Sequence, residues 1–140
     1  MRTKLLISFA AVVGLLAICS STLAHHGSAG YVDKMLVLKN ATVTKFQWSN
    51  PHSLIMFDVK DDKGSVTHWA VEAGSPSALN LIGWSKTSIG PGDAVTVYMF
   101  QAKSGSPVGR LSKIVLPDGT ALEDSQLGGK YTDQGEQPKK

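Results

Sequence analysis

Residues 52–84, HSLIMFDVKDDKGSVTHWAVEAGSPSALNLIGW, decide the fold. From His52 to Lys60 the residues alternate, with Ile55, Phe57 and Val59 on one side and His52, Leu54, Met56 and Asp58 on the other. A period of two is the signature of a half-buried strand. Asp61-Asp62-Lys63-Gly64 then supplies a turn with glycine where a left-handed backbone is wanted. Ser65 to Ala73 alternates again, Thr67, Trp69 and Val71 against Val66, His68, Ala70 and Glu72. The two runs read as a hairpin. Ser75-Pro76 follows as an N-cap with proline in the first helical position, and Gly83 stands near the end, so Ser75 to Trp84 reads as a short helix.

The pattern extends in both directions. Upstream, Met35 to Trp48 is strand-like until Ser49-Asn50-Pro51 interrupts it, because proline has no N–H for a ladder. Downstream, Gly90-Pro91-Gly92-Asp93 turns the chain into Ala94–Ala102, and Ser104-Gly105-Ser106-Pro107 turns it again into Val108–Leu116. Three strands, a short helix and two more strands predict an all-β fold, a small five-stranded OB-like Greek-key barrel with one helix between strands three and four. An SH3-like barrel and a small open sandwich share the same short strands. The expected segments are a signal peptide at 1–24, a flexible arm at 25–34, the barrel at 35–122 and a disordered polar tail at 123–140.

The leader is read from Arg2 and Lys4, the apolar run Leu5 to Ile18, and small residues at Thr22 and Ala24. Cleavage after Ala24 predicts a periplasmic or secreted protein with no membrane anchor left. Cys19 follows Ile18, a poor residue for lipoprotein processing, and belongs to the leader; the mature chain then has no thiol. Any metal must therefore be held by nitrogen and oxygen ligands. Removing Arg2 and Lys4 from 14 basic residues leaves 12 against 11 acidic ones, a net charge of +1. Such a balance gives no electrostatic footprint for nucleic acid.

These features together resemble an uncharacterised family of small secreted bacterial proteins, a domain of unknown function. The resemblance rests on Ala24-His25-His26, Trp48-Ser49-Asn50-Pro51-His52, Trp69 with Glu72, Ser75-Pro76 with Leu79 and Gly83-Trp84, Gly92-Asp93-Ala94-Val95-Thr96-Val97, and Asp118-Gly119. Members usually carry Ser-Phe after the double histidine, whereas Gly27-Ser28 stands here. The resemblance implies a secreted domain, singles out His25, His26 and His52, and carries no activity with it.

Cleavage after Ala24 would expose a free α-amine on His25. An amine and imidazole from one residue, with the imidazole of His52 opposite, make a three-nitrogen site suited to Cu(II). His26 is an alternative ligand, and Glu72 would orient the His52 ring from its second nitrogen. With Asp61–Lys63 as the loop and Gly64 as a bulge, Ile55 pairs with Trp69, Met56 with His68 and His52 with Glu72. His52 and His68 are then four positions apart, about 13 Å at ~3.3 Å per residue, too far to share an ion. Trp69 and Trp84 are expected to pack in the core, which leaves Trp48 as the candidate aromatic platform for a ligand. Met35, Met56 and Met99 form no close cluster in sequence. No glycine-flanked nucleophile and no calcium-loop spacing is present, so the chain reads as a binding module and not an enzyme. Two readings stand. One is copper binding by His25, His26 and His52; the other is a metal-free domain presenting strands two and three to a peptide, glycan or envelope protein.

Overall fold

The computed structural model of the chain describes residues 30–125. Six strands form, β1 (Tyr31–Gln47), β2 (Ser53–Lys60), β3 (Val66–Ala73), β4 (Ala94–Ala102), β5 (Val108–Val115) and β6 (Ala121–Glu123), with one helix, α1 (Pro76–Asn80), between β3 and β4. The sheet order is β3-β2-β1-β4-β5-β6, and a parallel pairing of β3 with β5 closes the first five strands into a barrel. This is the expected all-β order, with helix α1 where the sequence puts it.

The long first strand makes closure possible. Its first half pairs with β4 and its second half with β2, and the register shifts between Leu38 and Ala41 and again between Val43 and Lys45. Asn40, at the first shift, has φ 55°, a conformation asparagine tolerates better than most residues. Such bulges bend a strand and tighten its twist, so one strand can serve two walls. A path across the ladders from Met35 through Phe100, Arg110, Glu72 and Leu54 returns to β1 at Gln47, twelve residues farther along. That stagger is the tilt a small barrel needs.

The interior is filled by Val43, Ile55, Phe57, Val71, Val97, Met99, Leu111 and Ile114. Helix α1 closes one end with Leu79, which is fully buried; burial of such a side chain stabilises by about 1.5–3 kcal/mol. Ser75 caps the helix as expected, its Oγ accepting from Ala78 N at 3.3 Å. The helix is shorter than expected. It ends at Asn80, where Gly83 at φ 96° lets the chain reverse and Trp84 N donate to Leu79 O. Trp84 is thereby buried, and its Nε1 donates to Glu123 O at 2.8 Å.

The structure moves three expected boundaries or pairings. The arm was expected to reach residue 34, but the ladder of β1 starts at Tyr31. The tail was expected from 123, but Glu123 belongs to β6, and Asp124 is buried, accepting from Gly74 N through Oδ1 at 2.7 Å. The β2–β3 register differs by two: Phe57 faces Trp69, Asp58 faces His68 and Leu54 faces Glu72. Asp61 is the cause. Its Oδ1 accepts from both Lys63 N and Ser65 N, its own N donates to Ser65 O and its carbonyl accepts from Gly64 N, so Asp61 faces Ser65 instead of lying in the loop, with Gly64 (φ 87°) as the expected bulge. A shift of two preserves parity, so Ile55, Phe57 and Val71 still face inward.

Candidate functional site

The Asn-Pro corner between β1 and β2 is built by short local contacts. Gln47 Nε2 donates to Ser49 Oγ at 3.3 Å, Ser49 Oγ donates to the His52 carbonyl at 3.1 Å, and the Asn50–Pro51 peptide is cis. Ser53 N then donates to Gly74 O, which ties the start of β2 to the end of β3. His52 is thus held on the outer rim of the barrel beside Glu72.

Although Leu54 and not His52 is the direct partner of Glu72, His52 Nδ1 lies 3.0 Å from Glu72 Oε1. The contact is diagonal across the hairpin, as the strand twist favours. The side chains are 25% and 31% exposed, so this is a partly screened pair whose worth to folding is a few tenths of a kcal/mol to about one. Its geometric consequence matters more. A carboxylate only accepts, so the ring nitrogen that faces it, Nδ1, is the one that carries a proton.

Two further residues border this rim. Arg110 of β5 is the parallel-ladder partner of Glu72. Burial, and then the Glu72 carboxylate, push the Tyr31 hydroxyl pKa above its ordinary 10.0, with Arg110 acting in the opposite sense. The first residue of β1 therefore shares an electrostatic neighbourhood with the carboxylate that holds His52. Sequence reasoning overlooked Tyr31, yet its place six residues after His25 is a readable signal.

His25 and His26 lie outside the described residues. Among the described residues, no group of three His, Cys, Asp or Glu side chains is placed to hold a metal. His68 sits apart from His52, facing Asp58 with Nδ1 to Oδ1 at 2.6 Å. The corrected register puts His68 opposite Asp58, six positions from His52 and farther than the expected four. Trp48 is half-buried, its ring edge against Phe46 at 5.5 Å between centroids, and Phe46 in turn meets Trp84 at 5.9 Å. Trp69 stacks on Phe57 at 6.5 Å with an interplanar angle of 6°. On the outer face, Thr44, Met56, His68, Ala70 and Val108 border an open groove of about 530 Å³. No described helix is long and apolar enough to cross a membrane.

Comparison with known proteins gives one match. The model of a family of unknown function, DUF6152, matches residues 12–111, and the chain belongs to that family. No curated protein and no solved structure matches it.

Proposed function

We propose that this member of the family is an exported β-barrel that binds Cu(II) through the amine and imidazole of His25 and the imidazole of His52. His26 is an auxiliary ligand, and Glu72 positions the His52 ring. The observation that carries the reading is the diagonal His52–Glu72 contact at 3.0 Å, the kind of carboxylate contact that orients a metal-binding imidazole. Two supports accompany it. Tyr31 senses the Glu72 carboxylate, and six residues back to His25 span at most about 20 Å of extended chain, enough to fold back onto the corner. The family match also begins at residue 12, so the Ala24-His25-His26 junction lies inside the matched stretch.

Affinity is tested by titrating Cu(II) into protein with a verified His25 terminus and into the same protein carrying one extra residue ahead of it. Blocking the terminal chelate predicts a loss of at least about 100-fold, since the amine and ring bind as one unit. Equal affinities would reject the terminal site. The groove bordered by Met56, His68 and Ala70 favours a second reading, a metal-free domain that docks an envelope partner on the β2–β3 face. Absence of Cu(II) binding in both forms would select it.

A further inference from the structure

The outer face of the β2–β3 hairpin carries a second imidazole that the copper reading leaves unused. His68 is 82% exposed, and its Nδ1 meets Asp58 Oδ1 at 2.6 Å. The carboxylate accepts, so Nδ1 is the ring nitrogen that carries a proton, and Nε2 is the one that faces away from the pair as a candidate ligand. Met56 lies two residues before Asp58 on the same outer face, opposite Ala70.

The hairpin itself indicates how Met56 and His68 relate. His52 lies two positions before Leu54, the direct partner of Glu72, and Met56 lies two positions before Asp58, the direct partner of His68. The two diagonals are equivalent, and across the first of them side-chain atoms come to 3.0 Å. Diagonal neighbours stand roughly 7–8 Å apart at the backbone, within reach of a long thioether and an imidazole. Both side chains border the same groove, walled on its apolar side by Ala70 and Val108.

We propose that Met56 Sδ and His68 Nε2 form a surface site for a soft monovalent d10 ion, Cu(I) or its analogue Ag(I). A thioether discriminates for soft ions, and an imidazole nitrogen accompanies it as a second, borderline donor. Asp58 positions the ring as Glu72 does at the other diagonal. The ion enters and leaves in one oxidation state, so no electron donor or acceptor is involved. Because the ligands come from β2 and β3 alone, the site is independent of the His25 terminus.

The test uses the full mature chain with one residue added before His25, which disables the terminal chelate. Ag(I) is titrated while the methionine methyl and histidine ring signals are followed by NMR. The Met56 methyl and the His68 ring are expected to shift together, while Met35 and Met99, both buried, stay in place. Met56→Leu, close in volume, and His68→Gln should each weaken Ag(I) binding at least about 10-fold, with circular dichroism unchanged. In the unextended protein, both variants should keep Cu(II) affinity within about twofold. A Met56 methyl that ignores saturating Ag(I), or variants that bind it as the parent does, would overturn the site without touching the His25 reading.

Discussion

Replacement of Gly109 by alanine tests the closure of the barrel on which every site above depends. Gly109 pairs with Gln101 of β4 on one side and with Val71 of β3 on the other, at the seam where the sheet meets itself. A methyl group there would stand 2.5 Å from the Phe100 carbonyl oxygen and 3.1 Å from its carbon, and would overlap Met99 Cε. The methionine end can swing away. The Phe100 carbonyl cannot, because it belongs to the β4 ladder. Relief requires about 1 Å of backbone movement, and overpacking of this kind costs roughly 1–3 kcal/mol. A weakened ladder bond would add about 1 kcal/mol. The expected loss is therefore ~2–4 kcal/mol, a fall in Tm on the order of 10–20 °C for a domain of this size. Urea unfolding followed by tryptophan fluorescence should show a lower midpoint with an unchanged slope. Gly90→Ala is the control, since nothing lies within 4 Å of its added carbon; it should stay within ~0.5 kcal/mol of the parent. A Gly109→Ala protein with the parent's midpoint would refute the seam as described.

Three further outcomes follow from the site and the core. Glu72→Gln should change stability by less than ~1 kcal/mol, because the pair is partly exposed, yet weaken Cu(II) binding about 10–100-fold by isothermal titration. Tyr31 has a raised hydroxyl pKa in the fold, so the folded state retains this proton more tightly than the unfolded chain does. Stability from that term is full below pH 10 and declines as pH rises through the folded value; thermal melts of Tyr31→Phe should decline less than the parent's from pH 9.5 to 11. Leu79→Ala should cost about 2–5 kcal/mol in chemical denaturation, since the plug residue is fully buried and helix α1 is too short to reposition itself.

The barrel was legible because its evidence is periodic. Ile55, Phe57 and Val71 alternate with polar neighbours, and Ser75-Pro76 announces the helix that interrupts them. Parity survives any error of two, so the inner and outer faces were readable even where the partners were not. The partners turned on one side chain. Asp61 caps its own turn through two backbone N–H groups and faces Ser65 instead of lying in the loop, and composition alone does not distinguish the two pairings around the Gly64 bulge. The proximity of His52 and Glu72 was likewise expected as a facing pair and occurs as a diagonal one, across a contact that strand twist supplies.

The ends of the fold were harder to read for a different reason. Tyr31-Val32-Asp33-Lys34 mixes charge with apolar residues and shows no period, yet its backbone extends β1 along β4. Ala121-Leu122-Glu123 is too short for any pattern, and it is held by the backbone of β5 and by Trp84 Nε1 reaching Glu123 O. Those bonds come from distant partners, which a local reading does not contain. The closeness of Arg110 and Tyr31 to Glu72 arises in the same way, from barrel closure.

Electron paramagnetic resonance of the Cu(II)-loaded protein, with its His25 terminus confirmed by mass spectrometry, tests the copper claim most directly. Nitrogen couplings from the terminal amine and two imidazoles are expected, with one imidazole coupling lost in His52→Gln. A spectrum unchanged by His52→Gln, or one matching copper free in buffer, would contradict the account.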